Sequence, residues 1–474
     1  MNKHLLFILS FLGLLVTLFG GYIYLSNTSD APLLTEHRAL PSRVPPAFYT
    51  GGLEKGSGGK VEESYGEDLF APSPASSLTA SLLPSEAYPA PQTCARCHKG
   101  IHDNWEDSMH AVSATDEWYL RVKDLLAFEE GEPAVRLCAG CHAPVALMTG
   151  EVGLYNQESA ASKQGVSCSF CHTVESVHGG NGGWVSNPGR VRMYRGGDYL
   201  AEEGVENAAH LVMASPGVHK ADMMRPLYRD SAMCMSCHQF ELNGVKLQST
   251  YEEWQTSEYA AEGVTCQSCH FTPGAGPKVP DPGHLVESYP ERDHILRHTL
   301  SGASTVAAPR WEKNVETLRE TVELEANLDE NKLEVTVHNR KAGHHLPTGV
   351  GDMRQMWLEV VAYDAQENEV YSSGKLDPAG YLPDEAALFH QVLGDAQGNP
   401  IVRHDIWRVA QVLEDTRIPA KGSVTSSFDL PAGASKVQVR LLWRDAPAEF
   451  VQRVLKRPAH TIPVSELARW EGQL

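Results

Sequence analysis

The sequence predicts a mixed fold: an N-terminal transmembrane helix, a mainly helical and loop-rich domain, then an antiparallel β-sandwich. Three observations predict it. An apolar run from Leu5 to Leu25 opens the chain. All 10 cysteines fall between residues 94 and 269, in a stretch with few regular apolar periods. Beyond residue 315 there is no cysteine, and short runs of alternating polarity take over, the period of half-buried strands.

About 20 apolar residues suffice to cross a bilayer, whereas a secretory signal has a core of roughly 7–15 residues and a small-residue cleavage site. Here the run is longer and continues into Ser26-Asn27-Thr28-Ser29-Asp30. A membrane anchor over residues 1–26 is therefore predicted in preference to a cleaved signal. Lys3 on the short side places the N-terminus in the cytoplasm and everything else outside it, facing the periplasm or the cell exterior. Residues 27–90 are rich in Gly, Ser, Pro and Ala, as in Ala71-Pro72-Ser73-Pro74-Ala75-Ser76-Ser77, and read as a flexible spacer.

Every cysteine belongs to a C-x-x-C-H: Cys94/Cys97/His98, Cys138/Cys141/His142, Cys168/Cys171/His172, Cys234/Cys237/His238 and Cys266/Cys269/His270. Two thiols at this spacing can add to the two vinyl groups of one haem, and the adjacent imidazole then lies over the iron. Zinc sites combine two C-x-x-C pairs per metal, and five pairs do not divide that way. Disulfides in an oxidising compartment leave the histidines unexplained. With 21 histidines in 474 residues, five following the pairs by accident has odds on the order of one in ten million. The motifs therefore predict five covalently attached haems c, in a domain spanning residues 91–312 whose core is largely porphyrin.

The formal net charge is -20. A surface this acidic repels nucleic acid and anionic headgroups, so the expected partners are redox proteins with a basic docking surface.

The region contains an internal repeat. Leu137–His142 is followed by Gly165-Val166-Ser167-Cys168, and Met233–His238 by Gly263-Val264-Thr265-Cys266. A duplicated two-haem module with the first haem apart is the simplest reading. A second echo sets Trp105-x-x-Ser108-x-His110-Ala111 against Trp254-x-x-Ser257-x-Tyr259-Ala260, with His replaced by Tyr. In residues 313–474, runs such as Leu333–Val337, Trp357–Val361 and Val437–Leu441, separated by turns such as Pro431-Ala432-Gly433, predict the sandwich. Helices are expected at Ala448–Leu455 and Val464–Trp470.

Histidines outside the motifs decide what such a protein can do. An iron with His on both faces only passes electrons, and one with a free face can bind a small molecule. The candidates are His110, His219, His298, His294, His178 and His344, with His102, His210, His284 and His345 behind them. Met148, Met213, Met223 and Met224 are second choices. His344 lies in Gly343-His344-His345-Leu346-Pro347-Thr348-Gly349, a loop that either reaches back to cap a haem or is a plain Pro/Gly turn.

Residues 94–111 (CARCHKGIHDNWEDSMHA), 138–144 (CAGCHAP), 165–173 (GVSCSFCHT) and 253–270 resemble the multihaem cytochromes grouped around the cytochrome c-554 type, related to hydroxylamine oxidoreductase. The resemblance covers roughly residues 91–300 and implies that His110 is a distal haem ligand. The chain departs from the simplest members in having five motifs and an added β-domain. It lacks the C-x-x-C-K motif that marks the catalytic haem of pentahaem nitrite reductases. The reading is an anchored electron carrier linking a respiratory donor to an extracytoplasmic acceptor. The alternative is an oxidoreductase acting on a small nitrogen or sulfur compound at one five-coordinate haem.

Overall fold

A computed structural model describes residues 69–153, 159–190, 216–271, 296–302 and 311–474. The predicted anchor lies outside these residues. Among the described residues no helix is long and apolar enough to cross a membrane.

The stretch expected to end a spacer at residue 90 is instead built into the protein from residue 69 on. Phe70, Ala75 and Tyr88 are buried, the Tyr88 hydroxyl donates to Ser186 Oγ at 2.7 Å, and β1 (Ser76–Ser77) pairs with Val185 and Ser186. Its composition is that of a linker, but a few large apolar side chains are enough to pin it.

The haem-type region is a succession of short helices. α1 (Pro91–Ala95) opens the first motif, followed by α2 (Lys99–Glu106), α3 (Met109–Val112) and α4 (Glu117–Glu130). α4 is the long one: Asp116 caps it by accepting from Tyr119 N, and Gly131 at φ +93° ends it. α5 (Val135–His142), α6 (Pro144–Thr149) and α7 (Cys168–Cys171) lead to a hairpin of β2 (Val174–Val177) and β3 (Trp184–Ser186). Val145, Leu147, Met148, Phe170 and Trp184 form the main apolar cluster here, and Trp184 Nε1 donates to Gly140 O at 2.8 Å. Then come α8 (Pro216–Met223), α9 (Ala232–His238), a hairpin of β4 (Phe240–Leu242) and β5 (Val245–Gln248), α10 (Thr250–Gln255), α11 (Glu258–Ala261) and α12 (Cys266–His270). Most of these helices have eight residues or fewer, too short to stand without tertiary support.

After α13 (Trp311–Thr321) the chain becomes two sheets. β6 (Val322–Asp329), β7 (Lys332–Asn339) and β13 (Ser423–Asp429) form one, in the order β13-β7-β6. β8 (Gln355–Tyr363), β9 (Glu369–Ser373), β10 (Leu388–Phe389), β14 (Lys436–Arg444) and β15 (Ser465–Gln473) form the other. β11 (Gln391–Gly394) and β12 (Gln411–Asp415) make a separate hairpin. Leu333, Val335 and Val337 of β7 meet Met356, Leu358 and Val360 of β8 and Val437, Val439 and Leu441 of β14 in one core of fully buried side chains. These residues are the period-2 sets of their strands, so the two sheets pack face to face as expected. α14 (Ala448–Arg453) fills the first predicted helix. The second prediction is corrected: Ser465–Gln473 is a strand paired along β14. Exposure alternates along it with a period of two, buried against half-buried over 465–468 and exposed against half-buried over 469–473, and a register shift in its pairing with β14 lies between Leu441 and Leu442.

Candidate haem centres

A C-x-x-C-H within one helical turn puts both thiols and the imidazole on one side, because residues three and four apart share a helix face. α5, α9 and α12 carry whole motifs, α7 carries both thiols of the third, and α1 carries Cys94 of the first. None of the ten cysteine side chains is fully buried, as suits groups that bond to a large planar ligand.

A motif histidine that held an iron would do so through one ring nitrogen, with the other nitrogen oriented by a hydrogen-bond partner. His172 Nδ1 lies 2.6 Å from Met223 O and His270 Nδ1 lies 2.9 Å from Ser301 O. Each is thus an Nδ1–H donor to a carbonyl, and Nε2 is left with a lone pair. His238 Nδ1 lies 3.1 Å from the Gln248 side-chain amide. Met223 therefore serves through its backbone. Met148 is in the apolar core, Met224 is exposed, and Met213 lies outside the described residues.

An iron about 2 Å from the Nε2 of each of two imidazoles places their ring centres roughly 6 Å apart. Four motif histidines have such a partner. His98 faces His219 at 6.1 Å with planes 14° apart, and His270 faces His344 at 6.4 Å, also at 14°. His238 faces His110 at 6.1 Å, and His172 faces His298 at 6.5 Å. Two of these partners also tie Nδ1 to a carbonyl: His344 to His345 O at 2.9 Å and His298 to Leu296 O at 3.0 Å. Burial first, then the His238 charge, holds His110 down at about 3, so its imidazole is neutral and able to ligate. The residues thus fit haem c.

Among the described residues, the remaining candidates do not join such pairs. His178 is corrected: it is exposed, and its Nε2 lies 3.3 Å from Ser176 Oγ, because the β2–β3 hairpin turns it outward. His102 is buried on α2 with Nδ1 3.7 Å from Asp103. His345 lies beside Glu253. His294, His210 and His284 lie outside the described residues. His142, the second motif's ligand, packs face to face with the Tyr119 ring at 4.6 Å.

The internal echo is a real structural repeat. Trp105 Nε1 donates to Val166 O at 2.9 Å, and Trp254 Nε1 to Val264 O at 2.8 Å. Ser108 and Ser257 each return a hydroxyl bond to the preceding Trp carbonyl at 2.6 Å. Val166 N donates to His110 O, and Val264 N to Tyr259 O, both at 2.9 Å. Gly165 sits at φ +58°, and a Cβ there would come within 2.4 Å of His110 O, so only glycine lets the third motif close on α3. Tyr259, in the place of His110, is no ligand: its hydroxyl donates to Arg340 O at 3.0 Å. It packs near Gly343, beside the loop that brings His344 to His270.

Sequence reasoning missed what fixes that loop. Glu253, buried on α10, accepts from Arg417 at 2.7 Å, from Thr348 Oγ1 at 2.5 Å and from His345 N at 3.1 Å. Nothing local marks Glu253; only its tertiary partners do. Thiol contacts also order the sites. The thiol of Cys94 is neighbour to that of Cys168, Cys141 to Cys237 and Cys234 to Cys266, each pair raising the pKa of one of its members. Cys171 senses Cys237 electrostatically. The fourth motif thus stands among the second, third and fifth, and the first adjoins the third.

The family described as cytochrome c554 and c-prime matches residues 93–173, the stretch holding the first three motifs. No curated protein matches the chain. The chain shares its fold with the penta-heme cytochrome c552 from Thermochromatium tepidum, at a TM-score of 0.59 and 22% identity, over 83% of this chain and 100% of that one.

Proposed function

We propose that this chain, a multihaem c-type cytochrome by its motifs, its family match and its fold, binds five haems c and relays electrons from a respiratory donor to an extracytoplasmic acceptor. Haem c supplies one-electron chemistry, its iron cycling between ferric and ferrous. The observation that carries the reading is the pairing of four motif histidines with distal histidines at 6.1–6.5 Å. Two imidazoles leave no coordination position for a substrate. The protein's part is to hold each pair and to keep the sites adjoining, with the fourth motif as the junction. The apolar run Leu5–Leu25 would anchor the chain with its bulk outside the cytoplasm. The net charge of -20 favours donors and acceptors with basic docking surfaces.

A second reading, an oxidoreductase acting on a small nitrogen or sulfur compound, attaches to His142. Among the described residues, the ring packed on it is a tyrosine rather than a second imidazole. Haem counting by mass, followed by an EPR spectrum of the fully oxidised protein, tests both. Five haems with only low-spin signals support the relay. A high-spin signal near one iron per chain supports the second reading, and a count other than five overturns the stoichiometry.

A further inference from the structure

The loop of residues 403–408 in the β-domain docks on the helix that flanks the second motif. Glu129, near the end of α4, accepts from Arg403 at 3.1 Å, from Trp407 Nε1 at 3.0 Å and from Arg408 Nη2 at 2.7 Å. Tyr119, near the start of α4, stacks on His142. His404 sits inside this clamped loop at φ +56°, in the left-handed region that most non-glycine residues avoid. Its Nδ1 lies 2.9 Å from Oδ2 of Asp352, whose side chain is only 5% exposed. Nδ1 of His172, His270, His298 and His344 likewise lies against an oxygen. A carboxylate on the second nitrogen of a histidine is the usual support for a metal ligand, fixing the tautomer and raising basicity.

The loop thereby stands on the helix whose Tyr119 ring covers His142, the one motif histidine that faces no second imidazole among the described residues.

We infer that His404, supported by Asp352, is the distal ligand of the haem attached at Cys138 and Cys141, coordinating through Nε2 opposite His142. The β-domain then caps two haems, the second through His404 and the fifth through His344. The inference rests on the relay reading only in requiring haem at the second motif.

The test uses the full-length haem-loaded protein with His404→Ala, His404→Met and Asp352→Asn. Carbon monoxide binds a ferrous haem only where a position is open. Wild type is expected to bind none, and His404→Ala one per chain, with a matching high-spin ferric signal and the other low-spin signals unchanged. His404→Met is expected to stay low-spin and gain the long-wavelength methionine-to-iron band, which a mere loss of folding cannot produce. Asp352→Asn is expected to loosen the ligand roughly 10- to 100-fold, read as carbon monoxide binding that His404 only partly blocks. Spectra and carbon monoxide binding of His404→Ala identical to wild type would overturn the assignment, as would a His404→Met protein without the new band. Failure of all haems to be reduced by one donor would sink the relay reading and leave His404 untouched.

Discussion

The two halves of this protein are held together by different things. The β-domain buries whole rows of aliphatic side chains between two sheets, with Val335, Val360, Val439 and Trp443 all at 0% exposure. Apart from the 14-residue α4, the haem-type region offers helices of four to eight residues around partly exposed thiols. An apolar cluster gathers around α6 and Trp184, touches the fourth motif at its edge through Met233 and Cys237, and leaves the fifth motif outside. One half is built on a continuous aliphatic core, and the other on short helices around its thiols. The lesson is that the half with the larger core can act as scaffold, presenting His344 to the fifth motif of the other.

The widest separation of the halves is expected when haem attachment is prevented. In the full chain with all ten cysteines replaced by serine, far-UV circular dichroism should lose the helical signal and retain the β signal. A retained helical signal would show that the haem region folds on its own.

Next comes damage to the scaffold's core. Trp443 is fully buried and donates to Asp445 Oδ1 at 2.9 Å. Trp443→Ala should cost roughly 3–5 kcal/mol, seen as a lower midpoint for loss of the β signal in denaturant. If the scaffold idea is right, the iron paired by His270 and His344 loses its low-spin signal in the same transition. The His98–His219 iron should persist beyond it.

The Glu253–Arg417 pair sharpens the comparison at the join. Both side chains are 4% exposed, and removing one partner of a buried pair strands the other charge. Arg417→Met is therefore expected to cost about 3 kcal/mol and to free the His344 loop. His344→Ala should open one haem to carbon monoxide without that loss of stability. Equal stability losses in the two variants would show that His344 serves the fold more than the iron.

The smallest effect is a pH dependence at the other clamp. Burial alone would raise the Glu129 carboxyl, but hydrogen bonds from Arg408, Trp407 and Arg403 win and hold it below its ordinary value. A carboxylate depressed in the folded state stabilises the clamp above the unfolded value of about 4.3, and this is lost as pH falls through the lower folded value. Hydrogen exchange of residues 403–408 should therefore quicken below about pH 4 in wild type. Glu129→Gln should be quick at every pH.

Much of this was legible in the sequence, and what was not has a common cause. The five attachment sites follow from a spacing that closes within one helical turn. The repeat is legible because both copies need the same Trp, Ser and Gly to make the same bonds, and the sheets because a half-buried strand alternates with period two. The spacer reading failed at residues 69–90, and the helix reading at 464–470, because contacts with distant strands outweigh local composition. The choice of distal ligands was beyond any local pattern. Partners such as His98 and His219, or His270 and His344, lie more than seventy residues apart. Ten candidate histidines look alike until their surroundings bind one ring nitrogen and aim the other. His404 is the extreme case, with no motif around it and its role set by Asp352, Glu129 and a left-handed backbone conformation. The sequence by itself determined where haem is attached and which residues can form sheets. The tertiary structure decided which imidazoles face one another, because coordination requires two side chains at one point in space.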